Sequence, residues 1–443
     1  MSTVCEARGL RISSPYPVLA ILTLVVVVNY FDRYILSILV EPIRHELGLS
    51  DTQIGLLTGA GFALLYSTMA IPIARVAERR NRIMIVALAV AIWSAATCLC
   101  GLASSFILLF MARVMVGCGE AAAIAPSQSM VSDLFPVNRR GAAMSFLAMG
   151  TAAGGALAPV LGGILQNALG WRMTFMVVGL AGLPLALLLM MAVREPRRGM
   201  SDGLVTPAAT VALWPSLVRL FRRRSYSLLV PALSLMALGE YSMIMWMPAF
   251  FQRSFGIPAA ELGARIALFQ GLPFLIGTFA GGWLADKLSL RDERWIAWVP
   301  MIGAALNAPA VICVFVIKTP SLAFALLILP SFVNGLYLAP CYALMQNLAA
   351  VHSRATATGV LVFAVNLIGA GLGPLLLGAL SDVLHAHFGE QSLRYAFFSL
   401  VPIYVAAAVV FALIAAPLKR DLADARADSL QELSAPGSVL QLD

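Results

Sequence analysis

The sequence predicts an all-α membrane protein whose twelve transmembrane helices form two pseudo-symmetric six-helix bundles. Three observations carry this: an apolar fraction too large for water, runs of spanning length, and a lopsided placement of basic residues. The 443-residue chain is 60% hydrophobic and only 12% charged, against about 25% charged in an ordinary soluble domain. With a mean hydropathy of +0.88, much of its surface must be solvated by lipid.

A spanning helix needs roughly 20 predominantly apolar residues. Runs bounded by charged or turn residues place spans at 17–40, 53–74, 83–103, 106–130, 141–165 and 173–193, then at 226–250, 262–284, 295–317, 321–346, 355–380 and 394–417. The first six make an N-terminal bundle over 1–193, and the last six a C-terminal bundle over 226–417. The polar connection 194–225 separates them. Within it, 213–221 followed by Arg222, Arg223 and Arg224 reads as a short interfacial helix. The polar tail 418–443 is expected to be mobile.

Basic residues orient the spans. With a cytoplasmic N-terminus, the inside segments hold most of them, including Arg75, Arg79, Arg80, Arg82, Arg139, Arg140 and the arginines of the middle connection. This is the positive-inside asymmetry, so both termini are expected in the cytoplasm. The net charge of +8 is therefore a topology signal, and no nucleic-acid partner is expected. Scarce lysine and abundant alanine suggest a GC-rich bacterial genome, hence a multi-pass protein of the inner membrane.

The six cysteines sit mostly inside apolar runs without a ligand spacing. The first apolar run lacks the small-residue cleavage site of a signal peptide. Neither a phosphate-binding Gly-rich loop nor a nucleophile beside a base is visible. An enzyme is not expected, and neither a cofactor nor a metal is called for.

The halves repeat. Ala74-Arg75-Val76-Ala77-Glu78-Arg79 after the second span mirrors Gly282-Trp283-Leu284-Ala285-Asp286-Lys287 after the eighth. Ala158-Pro159 in the fifth mirrors Gly373-Pro374 in the eleventh. These motifs, in this order and spacing, resemble the major facilitator superfamily over nearly the whole chain. The resemblance implies the major facilitator fold, with a substrate site between two bundles. Closer resemblance is to the spinster-like branch, which moves sphingolipids and lysophospholipids. It rests on Asn29-Tyr30-Phe31-Asp32-Arg33, on Arg79-Arg80-Asn81-Arg82, and on Arg113-Val114-Met115-Val116-Gly117-Cys118-Gly119-Glu120-Ala121. Trp246-Met247-Pro248-Ala249-Phe250 with Arg253 adds to it. Ala74 and Glu78 stand where the family motif has Gly and Asp, which keeps the charge but lengthens its reach.

An ionised side chain at the bilayer centre costs roughly 2.5–3.5 kcal/mol, yet Asp32, Arg33, Arg113, Glu120 and Glu240 all fall inside spans. At about 1.5 Å per residue, Asp32 and Arg113 lie at nearly equal depth, and Glu120 lies about two turns further along the same face as Arg113. Asp32 and Glu120 are therefore candidate proton carriers, and Arg113 a candidate switch between them and an anionic substrate group. The alternative is a fixed ion pair that only orders the first and fourth spans. Arg33 points about 100° away from Asp32, to snorkel or to pair with a neighbouring helix. Glu240, Tyr30, Tyr241 and Asn366 are candidate substrate-binding residues, each weighed against ordinary helix packing. Glu78, Arg79 and Arg82, with Asp286 and Lys287, are candidate gating residues that would form ion pairs between the halves.

The expected activity is secondary active transport, proton-coupled, of an amphipathic anionic lipid by a monomer. Two alternatives remain open: movement of a smaller organic anion or drug, and an uncoupled scramblase or channel.

Overall fold

The computed structural model describes residues 14–77, 79–198, 213–349 and 354–434. Among the described residues regular structure is helical, with no strand. Among the described residues, ten helical stretches are long and apolar enough to cross a membrane; two of them, Arg139–Ala192 and Thr356–Ile414, each contain a turn. The turns fall at Gly170 (φ 76°) and Gly389 (φ 53°), where a side chain would be strained. Twelve spanning helices result.

In chain order the helices are α1 (Pro15–Leu47), α2 (Asp51–Ala77), α3 (Arg82–Leu102), α4 (Phe106–Leu134), α5 (137–169) and α6 (171–192). The short α7 (Leu213–Arg222) follows. Then come α8 (Arg224–Phe255), α9 (Ala259–Ser289), α10 (Trp295–Val316), α11 (Pro320–Leu348), α12 (354–388) and α13 (392–414). A final helix, α14, covers Leu418–Ser434. Several helices outrun the apolar runs that announce them, because an end outside the hydrocarbon can be polar. The close of α1, with Glu41, Arg44, His45 and Glu46, is such an end. Local signals set the starts. Pro15 opens α1, and the Asn81 side chain accepts from Met84 N at 2.8 Å to cap α3.

Of the tail expected to be mobile, 418–434 is instead α14, and 435–443 lies outside the described residues. Leu418, Leu422 and Ala425, spaced for one helix face, are buried, and that face docks. Ion pairs hold its ends: Arg223 to Asp428 at 2.7 Å, Lys419 to Asp292 at 3.2 Å and Arg426 to Glu293 at 2.6 Å.

The chain forms two compact units. The first holds the described residues of 1–49, 56–208 and 258–263, and the second those of 50–55, 209–257 and 264–443. In the first, α5 lies backbone-close to α1. A Cβ on Gly150 would meet Thr23 O at 2.9 Å, one on Gly154 would strike Val27 O, and one on Gly162 would meet Ile35 at 2.9 Å. Small residues four apart let the two backbones approach, the usual way helices associate without a hydrophobic drive.

The second unit uses the same device between α9 and α11, where Gly277 and Gly281 face Phe332 O and Leu336 O. Residues 365–372 of α12 are wound as a π-helix, and just beyond it Trp246 Nε1 donates to Pro374 O at 2.9 Å. Residues 50–55 are held in this unit by a buried ion pair. Arg253 donates twice to Asp51, both at 2.7 Å, and Ser381 Oγ donates to Asp51 at 2.6 Å.

Candidate functional site

The site in the first unit begins with the faces of α4. Leu108, Met111 and Met115 are exposed large apolar side chains, whereas Ala112, Arg113, Val116 and Glu120 are buried. The charged face of α4 therefore turns into the unit and its apolar face turns to lipid. On α1, Asn29, Asp32 and Arg33 are likewise buried.

Four charges meet there as two pairs. Arg113 Nη1 lies 3.6 Å from Asp32 Oδ1, so the two side chains read as level in depth are in fact partners. Thr97 of α3 donates a short hydrogen bond to the other Asp32 oxygen. Arg33 reaches Glu120, with Nε at 3.1 Å and Nη2 at 2.9 Å from the same oxygen, Oε2. Two arginines and two carboxylates leave the cluster neutral, which offsets the cost of burying any one of them.

One expectation changes. Arg113 was to serve both carboxylates, but Glu120 has its own arginine, Arg33. Arg33 lies in an aromatic nest: its guanidinium carbon is 4.7, 4.6 and 4.5 Å from the ring centres of Tyr30, Phe62 and Tyr66. A guanidinium over aromatic faces is held electrostatically as well as by its carboxylate. Tyr30 thus supports Arg33 directly. Sequence reasoning missed Thr97, Phe62 and Tyr66. A lone threonine in an apolar span and two aromatics four residues apart were the available signals.

The hydrogen bonding of the cluster is incomplete. Asp32 Oδ1, Glu120 Oε1 and both Nε and Nη1 of Arg113 are buried without a hydrogen-bond partner, as are both side-chain polar atoms of Asn29. Buried polar atoms are usually satisfied, so this region offers donors and acceptors to something polar.

In the second unit, Tyr337 of α11 donates a short hydrogen bond to Glu240 of α8, and a Cβ on the adjacent Gly239 would meet the Tyr404 hydroxyl at 2.5 Å. Glu240 therefore sits against the Tyr337 phenol. Tyr241 is half-buried beside it. Asn366 Nδ2 donates to Val362 O of its own helix at 2.9 Å.

The gating candidates separate. Glu78 lies outside the described residues. Arg79 is exposed. Arg82, in contrast, is buried and engaged within the first unit: Nε to Glu195 at 3.1 Å, Nη1 to Ser129 at 2.9 Å and to Asp133 by a shorter contact, Nη2 to Pro196 O at 2.9 Å. Its donors tie the start of α3 and the connection after α6 to α4, partners that the expectation of ion pairs between the halves did not include. Asp286 and Lys287 are exposed, and Lys287 Nζ lies 4.8 Å from the Trp283 ring centre.

Comparison with known proteins places this arrangement. Residues 22–374 match the Major Facilitator Superfamily. An MFS-type efflux pump of Mycolicibacterium smegmatis is 32% identical over 403 residues, covering 91% of this chain and 93% of that protein. A sphingosine-1-phosphate transporter of Danio rerio is 27% identical over 470 residues, covering 99% and 91%. The crystal structure of a bacterial homologue of the human lysosomal transporter Spinster, inward-facing and unoccupied, superposes with a TM-score of 0.79 at 30% identity, covering 94% of this chain and 98% of that one. With twelve spanning helices among the described residues, a charge cluster on α1 and α4, and this likeness over nearly its full length, the chain belongs to the Major Facilitator Superfamily, in its spinster-like branch.

Proposed function

We propose that this chain is a proton-coupled secondary transporter of an amphipathic anion, a lysophospholipid or sphingoid phosphate, working by alternating access in the bacterial inner membrane with both termini cytoplasmic. The observation that carries the reading is the incompletely bonded pair of Arg113 and Asp32. Their 3.6 Å separation is too long for a hydrogen bond, and two Arg113 nitrogens have no acceptor. A phosphate entering there supplies acceptors with better geometry than Asp32 does. Asp32 then loses its counter-charge. An unpaired buried carboxylate is costly, so it takes a proton, and substrate binding and protonation become linked. Glu120 responds in the same way whenever Arg33 swings from it.

Asp32, Arg113, Glu120 and Arg33 are the working charges in this scheme, with Tyr30 as the aromatic support. Glu240 with Tyr337 and Tyr241 supplies a second polar patch for a substrate's head, while Arg79, Asp286 and Lys287 remain candidates for a gate. The lipid class is supported by the zebrafish relative, which transports sphingosine-1-phosphate. The efflux-pump relative supports the second reading, export of a smaller organic anion or drug.

The test is reconstitution into liposomes under an imposed pH gradient. Saturable lysolipid or sphingosine-phosphate movement that tracks the gradient, and that loses its pH dependence in Glu120→Gln or Asp32→Asn, is expected. Unchanged coupling in both variants sinks the proton role. Transport of hexuronate-like acids but not lysolipids moves the substrate to the second reading, and non-saturable movement means an uncoupled scramblase.

A further inference from the structure

The interfacial segment read from the sequence is not used by transport, and the structure gives it a distinct setting. Helix α7 ends in Arg222, and α8 starts two residues later at Arg224. Leu220 is buried, but Val218 and Phe221 are 39% and 45% exposed. Arg219, Arg222 and Arg224 are exposed beside them. A short helix with apolar and cationic side chains together on its outer surface suits the headgroup layer, where carbon meets acyl chain and guanidinium meets phosphate.

Next to this helix lies a cleft of about 720 Å³, bounded on one side by Arg219, Arg222 and Arg224 and on the other by Arg420 of α14 and Leu413 of α13. That volume is in the range of a small-ligand site. Its three aspartates are already engaged. Asp421 accepts from Ser225 N at 2.7 Å and so caps α8. Asp428 pairs with Arg223 at 2.7 Å, and Asp424 lies 3.9 Å from Arg420. Arg223 is engaged too, donating also to Leu348 O. Five arginines against three aspartates leave the cleft cationic.

We propose that this cleft binds the phosphate of an anionic phospholipid from the surrounding bilayer. Arg222 and Arg224 provide charge-assisted hydrogen bonds, Arg219 adds to the positive field, and Val218, Phe221 and Leu413 contact the first methylenes of the acyl chains. Leu413 is 53% exposed, so the apolar contact continues along the membrane side of the cleft. That continuity points to a lipid headgroup, because a free phosphate has no use for apolar walls. The bound lipid would bridge α7 to α14, two elements that flank the start of α8. The site lies in the second unit and does not depend on the transport reading.

The experiment uses the full chain in nanodiscs of phosphatidylcholine, with or without phosphatidylglycerol, and counts retained lipid by native mass spectrometry. Phosphatidylglycerol is expected to be retained in preference to phosphatidylcholine. A basic group near an anionic surface is worth about 5-fold in affinity, so Arg222→Gln with Arg224→Gln is expected to weaken retention about 20-fold or more. Arg222→Lys with Arg224→Lys keeps most of it. Phe221→Ser weakens lipid retention without changing the affinity for soluble glycerol phosphate. Equal retention of the two lipids, or no effect of the double Gln variant at unchanged thermal stability, overturns the proposal. Displacement of the lipid by inorganic phosphate at matching concentration also overturns it, since the site would then serve a free anion. Glu120→Gln is expected to retain phosphatidylglycerol normally, so failure of the transport reading leaves this result standing, and the reverse.

Discussion

Arg33 of α1 gives two hydrogen bonds, 3.1 and 2.9 Å, to one oxygen of Glu120 on α4 and none to the other. The geometry is one-sided: a guanidinium fork closes on a single Oε2 while Oε1 stays buried and unbonded. A carboxylate fully committed to a bidentate pair resists release. This one is held firmly on one side and available on the other, which suits the release that the proposed cycle asks of it.

Removing one member of this pair leaves a lone buried charge. Arg33→Leu is therefore expected to destabilise the protein by about 3–5 kcal/mol, as breaking buried pairs generally does. Replacing both, Arg33→Leu with Glu120→Leu, is expected to recover most of that loss, because an apolar pair of similar volume needs no desolvation. Thermal melting of the purified variants measures the cycle; a double variant as unstable as the single one would show that Arg33's aromatic contacts matter more than its charge.

Asp32 predicts a graded series. Asp32→Asn keeps an acceptor for Thr97 but leaves Arg113 without its counter-charge, at a cost of about 3 kcal/mol or more. Thr97→Val leaves the ion pair and removes one hydrogen bond to a charged group, worth about 1.5–3 kcal/mol. Melting temperatures are expected to fall in the order wild type, Thr97→Val, Asp32→Asn. The reverse order would mean that Thr97, and not Arg113, is what holds Asp32 in place.

The helices and the depth match of Asp32 with Arg113 were legible because hydropathy and rise per residue need no knowledge of packing. Glu120's partner was not, since depth says nothing about how far each helix is rotated. Helical side chains also tilt toward their own N-terminus, so Arg33 reaches back along α1 to a carboxylate two turns from Arg113. The tail was misread for a different reason. Its polar composition outweighed the period of Leu418, Leu422 and Ala425, three positions that are buried at 0%, 4% and 1% exposure. The partners of Arg82 were hidden because Asp133 and Glu195 are 51 and 113 residues away in sequence.

The docking of α14 is expected to depend on acid pH. Asp292 accepts from Arg294 N at 2.9 Å and pairs with Lys419 at 3.2 Å, and these contacts, the backbone bond first, hold its carboxyl below the usual carboxylate range. A depressed carboxyl stabilises the folded arrangement above its unfolded value of about 3.9, and that contribution is lost as pH falls through the folded value. Protease sensitivity of the tail should thus be flat at neutral pH and rise below about pH 4. In Asp292→Asn, which cannot form the ion pair, the acid-dependent step from this residue should vanish.

Arg82 decides between a gate and a brace. Nε, Nη1 and Nη2 reach four acceptors on two segments, α4 and the connection after α6, and a lysine ammonium, being one point with three donors, cannot span them. Arg82→Lys is expected to cost about 3 kcal/mol, since Asp133 and Glu195 would lose part of their pairing. Glu195→Gln keeps an oxygen for the Arg82 backbone N–H, which now donates at 3.0 Å, and should cost less, about 1 kcal/mol. A brace predicts that both variants lose thermal stability in this order while surviving protein transports with unaltered pH dependence. If Arg82→Lys melts like the wild type but changes the rate or pH profile of transport, the residue is a gate, and its contacts within the first unit are only one of two states.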